Sequence, residues 1–118
     1  MGYDLFGIKA KSKKGEYFRN NVWWWDELAN YVCITTRISS DGWHSNDGKR
    51  ISEKEATMIY EVLTELLDAG EVQKYSRGLS KYKKGLPRNS FERNYPFSTQ
   101  NVRDFAIFCR DSGGFEVC

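Results

Sequence analysis

Tyr17-Phe18-Arg19-Asn20-Asn21-Val22-Trp23-Trp24-Trp25 is the stretch on which the reading of this chain turns. It opens on aromatics, passes through a polar run and ends in three consecutive tryptophans. Asn20 or Asn21 suits a helix N-cap, because an amide oxygen there accepts an orphan N–H of the first turn. The pattern predicts a helix over residues 22–35, with residues 16–18 extended before it. Successive helical residues lie about 100° apart, so three tryptophans sweep about 200° of surface. A core-facing stripe is little wider than about 100°. Trp25 shares that stripe with Val22, Ala29, Val32 and Cys33. Trp24 flanks it with Leu28 and Tyr31, and Trp23 is left to face a groove, a partner or water. Aromatic faces beside Arg19, Asn20 and Asn21 suit a pocket for a flat polar ligand.

Working outward, residues 3–8 alternate weakly and read as a short strand or extended entry segment. Lys11-Ser12-Lys13-Lys14-Gly15 reads as a turn. Residues 39–50 read as a loop with turn chemistry at Ser39-Ser40-Asp41-Gly42 and Ser45-Asn46-Asp47-Gly48. Asn46-Asp47-Gly48 also suits a tight hairpin. Trp43 lies between the two turns and has two readings: a loop aromatic placed for binding, or a plug folded back into the core.

Ser52 followed by Glu55 is a capping box. Ala56, Ile59, Tyr60, Leu63, Leu66 and Leu67 then form an apolar stripe at helical spacing, and Gly70 is placed to end the helix. Residues 72–94 are basic, with Tyr75 and Tyr82 among the lysines and glycine at 78 and 85. A loop, an irregular helix and a mobile flap over a site all fit, and Pro87 ends any helix before it. Ser98 caps a further predicted helix over residues 99–110, with Val102, Phe105, Ala106 and Cys109 inward. The closing Phe115-Glu116-Val117-Cys118 alternates, and is expected to dock as a strand or plug the core. The expectation is one domain over residues 1–118. It is mainly α, with about three helices and short strands or extended segments at the termini: a small α+β fold.

A chain of 118 residues fits one domain, and 40% hydrophobic with 29% charged residues fits a soluble globular protein. No apolar run approaches the roughly 18 residues of a membrane span. The first residues do not resemble a secretory signal, and Phe6 stands where myristoylation needs Ser or Thr. A cytoplasmic location is the resulting expectation. Cys33, Cys109 and Cys118 are odd in number and dispersed, which favours reduced thiols. His44 is the single histidine and no close ligand pair exists, so neither a metal nor a cofactor is expected. There is no Gly-x-Ser-x-Gly, and no spacing pairs Asp26, Asp41 or Asp47, so catalysis is not expected.

Two basic clusters stand out, Lys9 to Arg19 and Lys74 to Arg88, while the acids concentrate between Glu53 and Glu71. Lysines interleaved with tyrosines suit single-stranded nucleic acid, although a net charge of +2 is low for a dedicated binder. A solvated lysine loop is the plainer reading of either cluster.

Gly15-Glu16-Tyr17-Phe18-Arg19-Asn20-Asn21-Val22-Trp23-Trp24-Trp25, Tyr31-Val32-Cys33, Asn46-Asp47-Gly48, Tyr95-Pro96-Phe97-Ser98 and Ser112-Gly113-Gly114-Phe115-Glu116-Val117-Cys118 together resemble a family of small proteins found in bacteriophage genomes and viral metagenomes. The resemblance runs from about Gly2 to Cys118 and brings no activity or functional residue with it. It implies a phage accessory role exercised by binding: sequestering a host immune signal nucleotide, blocking a host defence protein, or touching nucleic acid.

The leading expectation is a non-enzymatic protein that binds a small polar or nucleotide-like ligand. Trp23, Trp24 and Trp43 would stack on a base. Arg19, Lys81 and Lys84 would meet phosphates, and Asn20 and Asn46 would read polar edges. The alternatives are a protein–protein inhibitor using a surface tryptophan patch, and nucleic-acid binding through the basic 72–94 segment. An unsatisfied tryptophan face would also serve self-association into a homo-oligomer.

Overall fold

A computed structural model of the chain describes residues 2–118. Strand β1 (Gly2–Gly7) leads through a 3-10 turn at Lys13–Gly15 to strand β2 (Tyr17–Asn21). Helix α1 (Val22–Thr36) follows without a break. Strand β3 (Lys49–Ile51), helices α2 (Glu53–Asp68) and α3 (Glu71–Lys84), helix α4 (Thr99–Ser112) and strand β4 (Phe115–Val117) complete the chain. The four strands form one antiparallel sheet in the order β2-β1-β4-β3. The protein is an α+β domain with four helices among the described residues, where about three were expected.

The opening stretch divides at one residue. Tyr17 to Asn21 pairs with β1, Arg19 opposite Asp4 and Tyr17 opposite Phe6. Asn21 ends that strand and caps α1, its side-chain oxygen accepting from the Trp24 N–H at 3.1 Å. Extended backbone therefore reaches past residue 18, to the cap itself.

Period-two alternation sets the faces of the sheet. Tyr3 and Leu5 of β1, and Phe115 and Val117 of β4, point inward and are buried. Asp4, Phe6, Arg19 and Glu116 occupy the intervening positions. Helix α4 lies on the inner face against β1 and β2, and α2 packs along α4. The C-terminal segment thus docks as a strand and also fills the core. Its partner β3 pairs Lys49 with Val117. Asn46-Asp47-Gly48 is accordingly a turn leading into β3, with Gly48 at φ 80°, and not the tip of a hairpin.

Helix α2 forms as its sequence dictates. Ser52 and Glu55 make both bonds of the capping box, and Ala56, Ile59 and Leu63 are fully buried. Gly70, at φ 76°, ends α2 and directly starts α3. The segment 72–94, open at the level of sequence as a loop or flap, is therefore ordered helix as far as Lys84. Val72, Tyr75, Leu79 and Lys83 recur on one face of that helix, and Val72 and Lys83 are buried. The irregular part is confined to residues 85–98.

The end of α4 is knitted to the β1–β2 connection. The backbone N–H groups of Lys9 and Lys11 donate to Ser112 O and Asp111 O at 3.0 and 2.7 Å. A side chain at Gly15 would meet Asp111 O at 2.0 Å, which is why glycine stands there. Ser12 Oγ donates to Asp111 Oδ2 at 2.7 Å, and Arg110 donates to both Asp111 oxygens. Arg110 first and Ser12 second hold the Asp111 carboxyl down at about 2. A carboxyl depressed on folding contributes stability that is complete above the unfolded value near 4 and is lost as pH falls through the folded value. The native protein should therefore lose stability between about pH 4 and about pH 2. Asp111→Asn should flatten that loss in urea unfolding series run across the window. An equally steep loss in the variant would remove this attribution.

Candidate functional site

The residues singled out in sequence do not converge. Trp43 is core, at 0% exposure. Its ring stacks on Trp25 at 5.8 Å and 8°, and its carbonyl accepts from Trp25 Nε1 at 2.6 Å. A ring sealed between Trp25, Phe105 and Phe115 has no face for a ligand, so the plug reading of Trp43 replaces the binding one. Asn20 exchanges amide bonds with Asn101 at 2.9 and 3.1 Å, tying β2 to the start of α4. Asn46 donates to Gly2 O and Cys118 O, clasping the ends of β1 and β4. Arg19 lies on the outer face of the sheet, 2.7 Å from Asp4. Lys81 is exposed on α3. Trp24 is half-buried, and Trp23 alone of the four tryptophans is largely open, at 52% exposure.

Lys84 does line a cavity, completed by neighbours to which the sequence reading gave no binding role. The last turn of α3 and residues 93–97 enclose about 300 Å³ between Ser80, Lys83, Lys84, Arg93, Tyr95 and Phe97. That is at the lower end of small-ligand pockets. Its charged lining is wholly basic. A wider recess of about 580 Å³ also includes Tyr95, and its charged groups are the carboxylates of Asp26 and Glu92, with Phe91 and Ser90 beside them. The two recesses share Tyr95 and form a polarised groove around it, basic in one part and acidic in the other.

A buried ion pair adjoins the groove. Lys83 Nζ lies 3.3 Å from Glu27 Oε2, with side chains 10% and 13% exposed. The same ammonium donates to Tyr95 O and sits 5.8 Å from the centre of the Tyr95 ring. Lys83 thus ties α1, α3 and the 93–97 segment together. Burial pushes the Glu27 carboxyl up and outweighs the Lys83 ammonium, which pulls it down. Pro96 follows Tyr95 and restricts it to extended backbone, as observed at ψ 119°. Lys81, Lys83 and Lys84 also stand in the last turn of α3, where cations complement the negative end of the helix dipole.

Trp23, Asp26, Glu27, Asn30 and Ile34 share one side of α1 by their spacing. His44 is held there, with Nδ1 3.3 Å from Asp26 and Nε2 3.1 Å from Asn30 Oδ1. Both ring nitrogens are thereby engaged by side chains of α1. Among the described residues no three His, Cys, Asp or Glu side chains group to hold a metal ion, and no helix is long and apolar enough to cross a membrane. Burial raises the Cys33 thiol to about 11 and Cys109 well above its ordinary range.

No family model, no curated protein and no solved structure matches this chain.

Proposed function

We propose that the protein is a non-enzymatic binding protein that holds a small nucleotide-like ligand in the groove around Tyr95. The observation that carries this reading is the pair of adjoining cavities of opposite charge. Phosphate suits the end with Lys84 and Arg93, since Lys83 is already engaged by Glu27. The exocyclic amines and ring N–H groups of a base are donors, and suit the acceptor carboxylates of Asp26 and Glu92. Tyr95 and the exposed Phe91 supply ring faces for stacking. In the phage setting that the sequence resemblance implies, such a protein withdraws a host signal nucleotide from solution, in the host cytosol, and releases it unaltered on denaturation.

Lys84→Glu combined with Arg93→Glu should weaken nucleotide binding by at least about 100-fold, each lost charge-assisted hydrogen bond being worth roughly 1.5–3 kcal/mol. Calorimetric titration of both proteins with cyclic and linear nucleotides reads this out. Equal affinity in the two proteins, or no nucleotide bound by either, defeats the proposal.

One observation favours a second reading, a docking surface for a host defence protein or another copy of this chain. Trp23, Ile34 and Phe91 are exposed at 52%, 73% and 80%, and large exposed apolar side chains mark contact surfaces. Trp23→Ala would then abolish protein association and leave nucleotide binding unchanged.

A further inference from the structure

The outer face of the sheet carries a feature that the groove does not use. Phe6 and Tyr17 stand side by side on β1 and β2, their rings 5.3 Å apart and 43° inclined. They are 47% and 48% exposed, although aromatics this size are ordinarily placed inward. Helices α1 and α4 contact β1 and β2, and Asp104, Ile107 and Phe108 of α4 border Tyr17 at the sheet edge. Tyr17 is tethered by a hydrogen bond from its hydroxyl to Asp4, which Arg19 also engages. About half of each of the two aromatic residues is left open to solvent.

The connection that leaves β1 beside these rings is basic. Lys9, Lys11, Lys13 and Lys14 are all exposed, and Glu16 is the one acid between them and Tyr17. Among the described residues none of the four lysines lies in an ion pair. Lys9 shares a recess with Glu53 and Glu55, the Lys11 ammonium acts on the Asp111 carboxylate, and Lys14 lines a recess with Tyr17 and Asp104. The acids on the sheet face itself are paired, Asp4 with Arg19 and Glu116 with Arg50. A lysine-rich loop that runs into two half-exposed aromatic side chains is complementary to a flexible polyanion whose bases are free to stack. It is poorly matched to duplex DNA, whose bases are already stacked inside.

We infer that the Phe6–Tyr17 face, with Lys11, Lys13 and Lys14, binds single-stranded nucleic acid. The bases stack on the two rings and the backbone follows the lysines. This site lies on a different surface from the groove and stands independently of the proposal made for it. It also moves nucleic-acid contact away from the 72–94 segment.

Fluorescence anisotropy of the full chain with a labelled oligothymidine tests the inference. Three phosphate contacts to a single strand predict a log–log salt slope of about −2. Lys11→Glu with Lys13→Glu should cut that slope by about two-thirds. Phe6→Ala and Tyr17→Ala should each weaken binding about ten-fold or more, and Tyr17→Phe, which keeps the ring, should not. Phe6→Leu and Tyr17→Leu keep an apolar side chain without a stacking face, and serve if the alanine variants lose their fold. Lys84→Glu with Arg93→Glu should bind the oligonucleotide as the native protein does. Four results overturn the inference: no binding, a slope near zero, ring variants that bind as tightly as the native chain, or duplex bound in preference to single strand. A solution mass showing a dimer that Phe6→Ala dissociates also overturns it, by assigning the face to a second copy.

Discussion

Trp43→Ala should be the most damaging substitution outside the helix backbones, costing about 3–5 kcal/mol. For a domain of this size that corresponds to a fall in Tm of roughly 12–20 °C. Trp43 is fully buried and touches aromatic rings from three elements: Trp25 on α1, Phe105 on α4 and Phe115 on β4. Removing the indole leaves a void lined by rigid rings, which collapse poorly. It also frees the loop whose Trp43 carbonyl accepts from Trp25 Nε1. Trp43→Phe should cost much less. No acceptor among the described residues reaches Trp43 Nε1, so a phenyl ring keeps the stacking and forfeits no hydrogen bond to them. Thermal melts of the two variants check this. A small loss for Trp43→Ala, or equal losses for both, would mean that the ring does not plug the core.

Lys83→Met should destabilise the protein by about 3 kcal/mol, because it leaves the Glu27 carboxylate nearly buried without its cation. Lys83→Met with Glu27→Leu should recover most of that loss, since an apolar pair of similar volume removes both charges together. The sign of the pH dependence follows from Glu27. Burial already raises its carboxyl in the native protein, and loss of the ammonium raises it further. A raised carboxyl costs stability while ionised, above its folded value, and the cost disappears as pH falls below that value. The deficit of Lys83→Met should therefore shrink on acidification, and that of the double variant should not. Urea unfolding of the single and double variants at neutral and mildly acid pH measures this. A double variant no more stable than the single one would show that Lys83 acts through Tyr95 alone.

Helices α1, α2 and α4 were legible because each pairs a side-chain cap with an apolar stripe. Asn21, Ser52 and Ser98 all make the bond expected of a cap. The division of the tryptophans also follows from helical spacing, with Trp25 buried, Trp24 intermediate and Trp23 open. Helix α3 was not legible. Gly78, on its exposed side, lowers its helix propensity, and one of its buried positions is a lysine, which periodicity counts as polar. The sheet was hidden for a different reason. Leu5 pairs with Val117 and Ile51 with Phe115, and such pairings leave no local trace.

The groove was the least legible part of all. It depends on Lys83 meeting Glu27, 56 residues away in the chain, and on the Tyr95 carbonyl accepting from the same ammonium. The local signal for it was modest: a basic helix end, then Arg93, Tyr95 and Phe97 around a proline. Of the residues proposed from sequence, Lys84 lines the groove. Trp43, Asn20 and Asn46 hold the fold together instead.

Amide chemical-shift mapping during titration with a panel of cyclic and linear nucleotides tests the central claim most directly. A saturable response is expected for at least one nucleotide, with the perturbed amides clustered at Ser80 to Lys84 and Glu92 to Phe97. Smaller shifts are expected near Asp26 and Phe91. Silence across the whole panel, or a saturable response confined to other surfaces with the Tyr95 groove unmoved, would contradict it.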